Sequence, residues 1–72
     1  MNSVQDAIYN WLTIKVVIDH RPEDTAAKET VLWFENTLQE KFGISDYHYK
    51  KSGGWYIVTY KNEESVNEFR FP

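Results

Sequence analysis

The sequence predicts a two-layer α+β fold, an N-terminal αα-hairpin packed on a three-stranded antiparallel β-meander in the order α-α-β-β-β. Three observations carry that prediction. Apolar residues recur at helical spacing along two segments, the second of which ends at Phe42-Gly43. Past that point aromatic and β-branched residues are dense, at Tyr47, Tyr49, Trp55 to Tyr60, Phe69 and Phe71. Gly53-Gly54 interrupts this stretch with a pair suited to a tight hairpin turn.

The first helix is predicted over residues 3–20. Ser3 can cap early amides, Asp6 sits near the positive helix end, and Val4, Ala7, Ile8, Trp11, Leu12, Ile14 and Ile18 share one broad face. The β-branched residues at 13–18 raise a competing strand, but they do not alternate strictly. Asp19-His20-Arg21-Pro22 should stop this helix, because the residue before a proline avoids helical angles. Pro22 fits the first turn of a second helix, with Glu23 and Asp24 behind it. Ala27, Val31, Phe34, Leu38 and Phe42 make that helix's apolar stripe, and Gly43 ends it. The short link implies antiparallel helix packing.

A two-residue turn at Gly53-Gly54 sets the register of the hairpin. Ser52 opposes Trp55, Tyr49 opposes Val58, Tyr47 opposes Tyr60 and Asp46 opposes Lys61. A second turn at residues 62–65 returns the chain for a third strand at 66–71, bringing Phe69 against Val58 and Phe71 against Tyr56. A short helix capped by Asn62 is the alternative for 62–70, and the alternation favours the strand. Tyr47, Tyr49, Tyr56, Val58, Tyr60, Phe69 and Phe71 then share the inner face, covered by the helix pair. His48, Lys50, Trp55, Ile57, Thr59, Lys61, Glu68 and Arg70 face outward.

With 72 residues, the chain has room for a single domain, 1–72, burying about 60% of its unfolded surface. Three Trp, five Tyr and four Phe are enough apolar load for an ordered core, and without cysteine that core must hold by packing. Net charge is -3, which disfavours nucleic acid and anionic membrane as partners of the whole surface. The acids concentrate in the helices. No apolar run is long enough to span a bilayer and no secretory signal is visible, so a cytoplasmic protein without membrane contact is expected.

Chemistry-bearing motifs are sparse. His20 and His48 lie in different elements without metal-ligand spacing, no serine sits in a nucleophile elbow, and no phosphate or dinucleotide loop occurs. No cofactor, metal or catalytic residue is therefore assigned, and two thin layers leave little room for a deep pocket. Lys15 lies within the apolar face of the first helix. Its stem can cover that face while the charge reaches water, or it can join Arg21 in receiving an acidic group at the edge of the helix pair. Leu32 and Trp33 fall off the stripe of the second helix; packing on the first helix is the plain account and a contact surface the other.

The outer sheet face carries the main candidates, Trp55, Ile57 and Arg70 side by side, with Lys50 and His48. Trp and Arg around an aliphatic neighbour suit a protein contact. Basic residues among aromatics also suit single-stranded nucleic acid, although Asp46 and Glu68 on the same face oppose it. The αβββ order of residues 23–71 resembles double-stranded RNA-binding domains in topology, without their final helix and its basic start. The first strand can also serve as an open edge. The function expected is that of a non-enzymatic accessory or regulatory factor acting through protein-protein contact or homo-oligomerisation, with nucleic-acid binding by the outer sheet face as the alternative.

Overall fold

Two helices and three strands follow one another in the order α1 Val4–His20, α2 Thr25–Phe42, β1 Ile44–Ser52, β2 Trp55–Asn62 and β3 Ser65–Phe71. This arrangement comes from a computed structural model that describes residues 3–72. The strands form one antiparallel sheet in the order β1-β2-β3, and the helices pack on one of its faces. The expected α-α-β-β-β fold is the one observed, with 62–70 completing a turn and a strand.

The helix boundaries follow from their caps. Ser3 Oγ accepts the Asp6 amide at 3.1 Å, so α1 starts directly after it. At the other end α2 departs from expectation, because Pro22 is not in its first turn. The Asp24 amide donates to the Arg21 carbonyl at 3.0 Å, closing a turn with Pro22 at its second position. Asp24 Oδ1 then accepts the Ala27 amide at 3.0 Å and caps α2. A capping carboxylate satisfies an amide that has no partner within the helix, which Pro22 at the first helical position does not do. Gly43 stops α2 in the left-handed region, φ 67°, its amide reaching the Gln39 carbonyl at 3.1 Å.

Most of the β1–β2 register is as the two-residue turn dictates, from Ser52 opposite Trp55 to His48 opposite Thr59. Beyond His48 it shifts. Ser45, not Asp46, opposes Lys61, and Ile44 opposes Asn62. Asp46 and Tyr47 together thus face the single residue Tyr60, a β-bulge in which Asp46 takes φ 51°. The expected pairings of Tyr47 with Tyr60 and Asp46 with Lys61 presumed a regular ladder. The bulge changes the parity of the strand, so that Ile44 is buried in the same layer as Tyr47 and Tyr49. The β2–β3 ladder has no such break, with Val58 opposite Phe69 and Tyr56 opposite Phe71 as predicted.

The core lies between the layers. Ala7, Ile8, Trp11 and Leu12 of α1 meet Val31 and Leu38 of α2 and Ile44, Val58, Tyr60 and Phe71 of the sheet. Trp11 is its largest fully buried side chain. Its ring stands edge-on to Tyr47 at 5.2 Å and Tyr49 at 6.2 Å, and its Nε1–H donates to Glu35 Oε2 at 3.0 Å. That bond supplies the polar partner a buried indole needs. Tyr9 reaches Phe71 at 5.2 Å, so side chains of α1 meet both β1 and β3. Gln39 Nε2 donates to the Tyr47 hydroxyl at 3.0 Å and ties α2 to β1.

Candidate functional site

The strand pleat sets out the outer sheet face in rows. Ile57 of the central strand stands between Lys50 and Arg70, and Thr59 between His48 and Glu68. Trp55 opens β2 beside the Gly53-Gly54 turn, opposite Ser52. The predicted site residues His48, Lys50, Trp55, Ile57 and Arg70 are therefore brought together on one surface.

Their exposure is uneven. Trp55 is 48% exposed, whereas Ile57 is only 8% exposed even though, among the described residues, no helix or strand layer covers this face. Ile57 also stands apart from the main apolar cluster. Lys50 and Arg70 flank it as cross-strand partners, and long basic side chains can lay methylenes over apolar surface while holding the charge in water. Arg70 Nε bonds Glu68 Oε2 at 3.0 Å on the same strand, so part of the positive charge on this face is already neutralised.

The secondary candidates separate. Lys15 Nζ lies 3.6 Å from Asp19 Oδ1, one turn along α1, and Asp19 Oδ2 accepts the Tyr49 hydroxyl. The acidic group that Lys15 meets thus belongs to its own helix. Burial first, then the hydrogen bond and the negative charge of Asp19, push the Tyr49 hydroxyl up to about 12. Burial likewise raises Tyr47 and Tyr60. Arg21 is exposed at the end of α1, where its amide reaches the Val17 and Ile18 carbonyls. Leu32 and Trp33 do not pack on α1: they are 63% and 61% exposed, because the side of α2 facing the core is filled by Ala27, Val31 and Leu38. Trp33 meets the edge of Phe34 at 5.2 Å.

One concavity was not legible in the sequence. Tyr9, Leu12, Thr13 and Val16 of α1 line an open, mainly apolar groove with Tyr56, Phe71 and Pro72, of about 230 Å³. It is smaller than the roughly 300–1,000 Å³ of common small-molecule pockets. Tyr9 lies off the apolar face of α1, and that displacement was the available signal. Among the described residues no group of three or more His, Asp or Glu side chains is arranged to hold a metal ion. Also among them, no helix is long and apolar enough to cross a membrane.

The class defined by this geometry is a small α+β protein with helices on one sheet face and the other face open. No protein family, curated protein or solved structure matches the chain. The topological likeness to double-stranded RNA-binding domains accordingly has no match in sequence or structure behind it.

Proposed function

We propose that this is a non-enzymatic accessory or regulatory protein of the cytoplasm that acts through protein contact, with the outer sheet face around Trp55 as its contact surface. The observation that carries the reading is the half-exposed Trp55 beside the Ile57–Arg70 row on a sheet face with no covering layer. Aromatic and guanidinium groups around a desolvated aliphatic centre are typical of the residues that dominate interface energy. The inward tyrosines are used by the core, whereas Trp55 on this face is half exposed. Leu32 and Trp33 on α2 form a second, smaller surface of the same kind.

Nucleic-acid binding is the other reading, supported by His48, Lys50 and Lys61 among the outer residues. The Glu68–Arg70 pair and the net charge of -3 weigh against it. Immobilised wild-type protein and Trp55→Ala, compared for retained proteins by quantitative mass spectrometry, test the proposal. Partners should be lost from the variant while its urea midpoint is unchanged. Identical partners on both would refute the contact surface, and salt-sensitive NMR shifts at His48, Lys50 and Trp55 with single-stranded RNA would favour the other reading.

A further inference from the structure

The two edges of the sheet are not alike. β1 carries the Asp46 bulge, a device that keeps an edge from pairing, and is also tied to α2 through Gln39 and Tyr47. β3 pairs with β2 from Ser65 to Phe71 without a bulge, and among the described residues nothing lies along its other side. The two-residue loop closes on a hydrogen-bonded pair, Asn62 and Ser65. Alternation then turns the amides and carbonyls of Ser65, Asn67, Phe69 and Phe71 toward β2 and those of Val66, Glu68 and Arg70 outward.

We propose that this edge takes a second copy of the same chain, β3 against β3, giving one six-stranded sheet about a two-fold axis at Phe69. The charges select the register. A two-fold at Glu68 would set that carboxylate against its own copy, and a two-fold at Asn67 would set Glu68 against Val66. With the axis at Phe69, Glu68 stands opposite Arg70 of the second copy and Arg70 opposite its Glu68. These are the residues whose backbone groups point outward, so each pair can exchange both ladder hydrogen bonds. On the inner face the row Tyr49–Val58–Phe69 continues into Phe69 of the second copy, a cross-strand aromatic pair. On the outer face Val66, 68% exposed in the single chain, comes beside Pro72 of the second copy, one step from its Trp55. The Glu68–Arg70 pair within each strand becomes half of a four-charge cluster in which each charge has opposite neighbours.

The inference rests on protein contact as the mode of action and names one partner, but it does not depend on Trp55. Sedimentation and light scattering across concentration test it. The mass should rise from 8.6 kDa toward twice that value. Glu68→Arg turns both cross-strand pairs repulsive and should weaken self-association roughly tenfold or more, and Glu68→Arg with Arg70→Glu together should restore it. A mixture of Glu68→Cys and Arg70→Cys proteins, each with a single thiol, should form the mixed disulfide ahead of either like-with-like product. A wild-type mass that stays at 8.6 kDa into the millimolar range overturns the inference, as does self-association indifferent to Glu68→Arg. Faster self-crosslinking of Glu68→Cys would overturn the register. Trp55→Ala reports on the contact face alone, so either proposal can fail while the other stands.

Discussion

Deleting Asp46 should leave the fold intact, an unusual expectation for a one-residue deletion inside a strand. In a regular strand a deletion turns every residue beyond it to the opposite face. Here the extra residue is the bulge itself. Without Asp46, Tyr47 opposes Tyr60, Ser45 still opposes Lys61 and Ile44 still opposes Asn62, so Ile44, Tyr47 and Tyr49 remain inward. The deletion removes a non-glycine residue from φ 51°, a conformation costing about 1–2 kcal/mol and less for Asp, and loses the bend the bulge gives the strand. The two effects offset, and stability should stay within about 1 kcal/mol of wild type. Deleting His48 also restores a regular ladder, but it sends Tyr47 outward and Asp46 inward beside Tyr60. That forfeits the Trp11–Tyr47 ring contact, about 0.5–1.5 kcal/mol, and desolvates a carboxylate for about 1–3 kcal/mol more. Urea unfolding followed by far-UV circular dichroism should separate the deletions by about 2 kcal/mol or more. Equal loss in both would refute the parity argument.

The two hairpin turns should respond in opposite directions. Gly53 lies at φ 61° with open space around its missing Cβ, so Gly53→Ala should cost about 1 kcal/mol through backbone strain alone. Glu63 sits at φ 58° in the second turn, and Glu63→Gly should raise stability by about 0.5 kcal/mol, both read from urea midpoints. Glu35→Ala leaves the Trp11 indole without its partner and should cost about 1–2 kcal/mol, whereas Glu35→Gln, which keeps an acceptor, should cost less than half of that in the same assay. The Tyr49 hydroxyl, raised from 10.0 to about 12, stays protonated in the folded chain where the unfolded chain loses its proton. Its contribution is complete below pH 10 and falls as pH rises from 10 toward 12. Solvent screening at the rim holds it to about 1 kcal/mol, and Tyr49→Phe should flatten that alkaline part of the pH–stability curve.

The helix stripes, the Gly43 stop and the facing of every inward aromatic could be read from sequence because each rests on a local period. The departures all come from competition that periodicity does not register. Pro22 and Asp24 both suit the start of α2, and the choice fell to the side chain that caps an amide. A clue to the bulge was present as a conflict of parity, since Ile44 and Tyr47 cannot both face inward on a regular strand. Asp46 beside them is a residue type that tolerates a positive φ. Leu32 and Trp33 lie off the stripe, as the periodicity predicts, but what lies next to them depends on how the two helices pack. The groove along Tyr9, Thr13 and Val16 depends on where α1 crosses the sheet, a tertiary quantity. The outer-face residues came together as predicted, while the burial of Ile57 depended on flanking side chains whose positions no register argument specifies.

That burial divides the work on the outer face. Ile57 is already desolvated in the single chain, so a partner gains little further apolar area by covering it. Trp55 still exposes about half of its surface, and an aromatic side chain offers the most area to be buried on contact. Truncating Ile57 should therefore act on stability, by opening space where a buried side chain stood, whereas truncating Trp55 should act on affinity. Lys50 and Arg70 link the two effects, since they stand on either side of Ile57 in the ladder and also rim the surface a partner would meet. Joining two sheets at β3 extends the same arrangement. Arg70, fixed opposite Glu68 of the second copy, would be held over Ile57, and the two Trp55 rings would stand on one continuous face. Self-association and partner contact would then reinforce each other through Arg70, the residue that belongs to both.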